Sequence, residues 1–225
     1  MRVKGVPNDI KGLIFDMDGL LVNSERQYWQ ANIQAAHEYG LKIPDDSYLK
    51  LIGASNQQME EFYQKYFPSE RVRDEFIKRT DDLVWHWADE GKIKLQPGVQ
   101  EALTLFDKEK LKMGIASSNY QQVVDKFVWL TGIRQYFRFR LSYKDVLENK
   151  LKPKPAPDIY LLAQKKLGLP KENLLVFEDS STGVAAAKNA GISCVMIPDL
   201  KQPTSKDRES AIICKNFNEF IERIE

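Results

Sequence analysis

The stretch Gly12-Leu13-Ile14-Phe15-Asp16-Met17-Asp18-Gly19 constrains this chain more than any other. Leu13, Ile14 and Phe15 form an apolar run with the pattern of a strand buried on both faces, as in a parallel sheet. That run drives straight into two aspartates. Residues i and i+2 of a strand share a side, so Asp16 and Asp18 emerge together where the strand ends. Crowded carboxylates repel and each tends to take up a proton. A hard divalent cation such as Mg²⁺, which prefers oxygen ligands, relieves them. Gly19 lets the chain turn sharply with no Cβ in the path. A D-x-D triplet alone also occurs in solvated turns, at helix N-termini and in metal–nucleotide sites. A buried strand delivering two acids to its C-terminal end is, however, where open α/β sheets bind ligands.

After Gly19 the pattern becomes helical. Ser24-Glu25-Arg26-Gln27 reads as a capping box with Ser24 as N-cap, opening a helix that carries Tyr28, Ala31, Ala35 and Tyr39 and stops at Gly40. A second box, Ser55-Asn56-Gln57-Gln58, predicts a helix through Met59, Phe62, Tyr63 and Tyr66, ending before Pro68. Ser69 starts a longer one with Val72, Phe76, Thr80, Leu83 and Trp87 on one stripe, ended by Gly91. From Gly98 the chain alternates. A helix with Val99, Ala102, Leu103 and Phe106 precedes a strand, Met113 to Ala116, that ends at Ser117-Ser118-Asn119. A helix from Gln121 to Leu130, a short strand within Phe137 to Leu141 and a helix from Pro157 to Leu167 follow. Next come a buried strand Leu174 to Phe177 ending at Glu178-Asp179, a helix from Thr182 to Ala190, and a strand Cys194 to Ile197. Lys201 to Arg208 reads as a polar loop. Alternating strands and helices mean a parallel α/β sheet. The expected fold is a doubly wound, Rossmann-like core (residues 1–21 and 96–225) interrupted after its first strand by a helical domain (22–95).

Bulk properties exclude several classes. The chain has 225 residues and a formal net charge of +1, so no global field recruits nucleic acid or an anionic membrane. No run approaches the roughly 20 apolar residues of a membrane span. The two cysteines, Cys194 and Cys214, read as reduced thiols, Cys194 within an apolar run, which favours a cytoplasmic protein. A monomer is expected.

The strand ends offer Asp16 with Asp18, Ser117, and Glu178 with Asp179, and Lys154 lies on a loop before a helix. Singly, each has a dull explanation: a helix-cap serine, a lysine in a solvated charge run, a charged turn. Together they supply acids for a cation, a lysine for an anion, and a hydroxyl with helix N-terminal amides for phosphate oxygens. Phosphoryl transfer needs that equipment, since positioning and charge neutralisation dominate it.

Asp16-Met17-Asp18-Gly19, the strand ending at Ser117, Lys154 in Lys-Pro-Ala-Pro-Asp, and Phe177-Glu178-Asp179-Ser180 resemble the four motifs of the haloacid dehalogenase-like superfamily. The run Glu178 to Ala187 with Ala190-Gly191 is similar to its phosphatase and β-phosphoglucomutase-like branch, and residues 22–95 stand where that branch carries a four-helix cap. The resemblance implies that Asp16 is the nucleophile, forming an aspartyl-phosphate, and that Asp18 is the general acid and then base. It implies Mg²⁺ held by Asp16, the Asp18 carbonyl and Asp179, with Glu178 direct or through water. Asp16, Gly19, Ser117, Ser118 and Lys154 would form the phosphate site. Family mutases carry a histidine where this chain has Tyr28, and an arginine after a Gly-x-Ser where Gly53-Ala54-Ser55 is followed by Asn56. Both departures favour a phosphatase acting on a small phosphorylated metabolite, with the phosphomutase as the alternative. Arg26, Lys78 and Arg79 are the basic side chains that would restore a second phosphate grip. Tyr28, Trp29, Asn56 and Gln57 are the expected substrate-selecting residues. The cap's Trp85, Trp87, Tyr63 and Tyr66 are expected in packing. Two non-enzymes remain as rivals: a phospho-accepting signalling receiver, whose usual length is nearer half this chain, and a binder of phospho-ligands.

Overall fold

Six short strands form one sheet among the residues described, which are 1–51 and 56–225 of a computed structural model. They are β1 (Gly12–Phe15), β2 (Lys112–Ala116), β3 (Arg140–Leu141), β4 (Leu174–Glu178), β5 (Ser193–Met196) and β6 (Ile212–Ile213). Their order is β3-β2-β1-β4-β5-β6, and every neighbouring pair is parallel. This doubly wound, Rossmann-like α/β sheet has its strand order reverse at β1, between β2 and β4. Ligands of such sheets bind at that point, off the carboxyl ends of the strands. All of β1 and β4 is buried, as the uninterrupted apolar runs require.

The two faces of β1 enter different cores. Phe15 stacks on Phe177 with ring centroids 5.0 Å apart, and Phe106, Phe137, Phe217 and Phe220 complete an aromatic layer on that side. Ile14 joins Val176, Ala116, Ile159, Tyr160, Ala163, Val184 and Ala187 on the other. The layers are supplied by helices Val99–Lys108 and Phe217–Ile221 on one side and Asp158–Leu167 and Ser181–Ala190 on the other. Gly114 of β2 is held to hydrogen, since a Cβ there would meet the Phe139 ring at 2.3 Å.

The chain divides into two compact units, Met1–Asn23 with Lys94–Glu225, and Ser24–Ile93. The second contains helices Ser24–Glu38, Ser47–Leu51, Asn56–Tyr66 and Glu70–Asp89. Its core holds Ala31, Ala35, Tyr48, Phe62, Phe76, Leu83, Val84 and Ala88. Ser69 caps the long helix, its side chain accepting from the Val72 N–H at 3.3 Å. No helix is long and apolar enough to cross a membrane among the described residues.

Three expectations need correction. Ser24 lies inside its helix instead of capping it. The preceding residue, Asn23, is held in extended pairing with Lys94, donating its N–H at 3.0 Å and accepting through Oδ1 at 2.8 Å, and the helix begins directly after it, one position earlier than expected. Residues 201–208 are not all loop, because Thr204 and Asp207 form a reciprocal capping box that opens helix Ser205–Ser210. Trp85 is 40% exposed: two positions past Leu83, it falls on the far side of a 3.6-residue turn. Gly53, Ala54 and Ser55, and the side chains of Asn56 and Gln57, lie outside the described residues.

Candidate active site

Parallel pairing brings the acids together. Phe15 of β1 is in register with Phe177 of β4, and the Asp16 N–H donates to the Phe177 carbonyl at 3.0 Å. Asp16 therefore leaves its strand beside Glu178. Past Asp16 the chain folds back on itself: Leu21 and Val22 donate to the Met17 carbonyl, and Gly19, at φ 76°, donates to the Val22 carbonyl. Gln96 Nε2 donates to the Gly19 carbonyl at 2.8 Å and ties the loop down.

Two side-chain groups occupy this strand edge. In the first, Lys154 Nζ donates to Asp16 Oδ1 and to Glu178 Oε1, each at 2.7 Å. Both ion pairs are almost wholly buried. Lys154 stands on the loop before helix Asp158–Leu167, and the Lys154–Pro155 peptide bond is cis. In the second group Ser117, at the end of β2, donates through Oγ to Asp18 Oδ2 at 3.2 Å, and Asn119 Nδ2 donates to Asp18 Oδ1 at 3.3 Å. The Asn119 N–H in turn donates to Ser117 Oγ at 3.0 Å. Ser118 is exposed. Asn119 was not among the residues expected from the sequence; its polar side chain on the strand-end turn is the signal that marks it.

Asp16, Glu178 and Asp179 are buried and each can turn an oxygen to within 4.8 Å of the others. Burial pushes the Asp16 carboxyl up to about 7, with the Glu178 and Asp18 carboxylates adding to the rise and Lys154 opposing it. One lysine does not balance this much negative charge. An all-carboxylate donor set short of positive charge fits a hard divalent cation.

Glu178, fully buried, also accepts from the Tyr160 hydroxyl at Oε1. Its Oε2 accepts from Ser180 Oγ at 3.0 Å and from the N–H groups of Asp179 and Ser180. Ser180 caps helix Ser181–Ala190 through the Gly183 N–H. Tyr160 was missed because the buried stripe of its helix accounts for it; the signal was its hydroxyl, which needs a partner when buried. Gly183 has a steric reason to lack a side chain, since a Cβ would stand 1.7 Å from Glu178 Oε1. Gly183→Ala is expected to drive Glu178 out of its pairs. Breaking a buried ion pair costs about 3–5 kcal/mol, so chemical denaturation should show a loss of that order.

The helical unit holds the remaining candidates. Tyr28 and Trp29 line a cavity of about 240 Å³ with Tyr48, Met59, Phe62 and Phe76. The Trp29 indole N–H donates to the Asp45 carbonyl at 3.0 Å. Arg79 is engaged by Glu38 through two hydrogen bonds, of 2.6 and 2.9 Å.

The haloacid dehalogenase-like hydrolase family model matches residues 13–197. The phosphorylated carbohydrates phosphatase of Thermotoga maritima is 31% identical over 183 residues, covering 81% of this chain and 82% of that protein. Hexitol phosphatase B of Escherichia coli is 28% identical, covering 85% of each. The crystal structure of CbbY from Rhodobacter sphaeroides in complex with phosphate shares the fold, with a TM-score of 0.78 and 23% identity over 93% of this chain and 96% of that one. The chain belongs to the haloacid dehalogenase-like hydrolases, in their phosphatase branch.

Proposed function

We propose that this protein is a Mg²⁺-dependent phosphatase of small phosphomonoesters, a sugar or polyol phosphate or a similar metabolite, working through an aspartyl-phosphate. The observation that carries the reading is the buried Asp16–Lys154–Glu178 group at the strand-order reversal, with Asp18 two residues on. An Asp16 oxygen attacks phosphorus, and the bond from phosphorus to the leaving oxygen breaks as Asp18 gives that oxygen its proton. A water molecule, deprotonated by Asp18, then attacks the aspartyl-phosphate, releasing phosphate and restoring the Asp16 carboxylate. Ser117 and Asn119 aim the Asp18 carboxyl. Lys154 offsets charge on Asp16 and on the transferring group. Asp16, Asp179 and the Asp18 carbonyl would hold Mg²⁺, which supplies charge neutralisation for the phosphoryl oxygens.

The substrate class is supported by relatives named for phosphorylated carbohydrates and hexitols. Both cysteines are free and buried, in keeping with a reducing cytoplasm. The phosphomutase alternative is disfavoured by Tyr28 and Asn56, which stand where the resemblance places histidine and arginine in mutases. Losing that arginine removes a charge-assisted contact worth about 1.5–3 kcal/mol. The test follows both products in one tube, from β-glucose 1-phosphate primed with β-glucose 1,6-bisphosphate and from a panel of small phosphomonoesters. Phosphate release outrunning isomerisation is the expected result; faster isomerisation would make the protein a mutase.

A further inference from the structure

We propose that Tyr160 is a positioning residue: through Glu178 it sets where the Lys154 ammonium stands. The proposal rests on the reading of Lys154 as the group that grips phosphate.

The geometry divides the labour between the two Glu178 oxygens. Oε1 accepts from Lys154 Nζ and from the Tyr160 hydroxyl, and Oε2 accepts from Ser180 Oγ and two main-chain N–H groups. Tyr160 acts on the lysine twice. Its hydroxyl holds the oxygen that Lys154 grips, and its ring lies under the ammonium, 4.8 Å from Nζ to the centroid. Tyr160 is itself fully buried, on a helix whose other inward residues, Ile159, Ala163 and Leu167, are apolar. A phenylalanine would satisfy that helix equally well, so the hydroxyl answers to Glu178 alone.

Tyr160→Phe keeps the ring and removes the hydroxyl. Glu178 retains four donors, so the variant is expected to melt near the parent. A buried, hydrogen-bonded lysine ammonium gives a ¹H–¹⁵N signal in slow exchange with water. For Lys154 that exchange should quicken at least about tenfold in Tyr160→Phe, the lower worth of one hydrogen bond to a charged group. The inhibition constant of inorganic phosphate should rise by about the same factor. Unchanged ammonium exchange and phosphate inhibition would reduce Tyr160 to a filler of the core and overturn the proposal. A variant that does not fold would overturn it too. The ammonium arm needs no turnover. If the parent hydrolysed no phosphomonoester, the proposed function would fail while this test still decided the role of Tyr160.

Discussion

Asp16→Asn is expected to leave no measurable turnover of any phosphomonoester while the protein stays folded. Asparagine matches aspartate in shape but lacks the anionic oxygen that attacks phosphorus, and no other side chain described at this strand edge is placed to replace it. The fold should survive because Lys154 keeps its second partner, Glu178, at 2.7 Å. Asp16 is also under electrostatic load, its carboxyl pushed up to about 7 by burial and by neighbouring carboxylates. Removing its charge relieves that load and offsets the lost ion pair, so a thermal melt should sit near the parent's. Asp18→Asn should be milder, slowing turnover by about 10²–10⁴, the usual worth of general acid–base catalysis. Near-parental activity in Asp16→Asn would sink the proposed mechanism.

Chelation should be as complete in its effect. Asp16, Glu178 and Asp179 bring three buried carboxylates within reach of one another, and two must shed their negative charge into a cation for a phosphate dianion to approach. EDTA should therefore stop phosphate release, and added Mg²⁺ should restore it. Ca²⁺ should inhibit, because its larger coordination number lets both oxygens of a carboxylate bind, which would hold the Asp16 nucleophile back. Full activity after exhaustive chelation would assign the acidic cluster another purpose.

The central strands were legible because burial on both faces writes an unbroken apolar run, as in Leu13-Ile14-Phe15 and Leu174-Leu175-Val176-Phe177. β3 falls inside the expected Phe137 to Leu141 stretch, whereas β6, two residues long, carries too little pattern to locate from sequence. Helices opened by boxes with aspartate at the third position, Ser142 with Asp145 and Thr204 with Asp207, escaped because the familiar signature has Glu or Gln there. In the site, Asp16 and Glu178 stood out as charges at the ends of apolar runs, and Lys154 stood out through its place in Lys-Pro-Ala-Pro-Asp. Tyr160 did not, since a tyrosine on a buried helical stripe looks like any other large core residue until its hydroxyl is seen to meet Glu178.

The register of β1 against β4 also bears on how the protein comes into being. Phe15 is made long before Phe177, yet their pairing sets Asp16 beside Glu178. On a ribosome, β1 can align with β2 well before Leu174 emerges, and until then its other edge is an open row of peptide groups. Such an edge, carrying Leu13, Ile14 and Phe15, invites pairing with neighbouring chains. Insertion of β4 closes that edge and delivers Glu178 to Lys154 in the same event, a non-local contact of the kind that forms slowly. Nascent chains ending before Leu174 should need chaperone protection, and gain of turnover during refolding should keep time with closure of the central sheet.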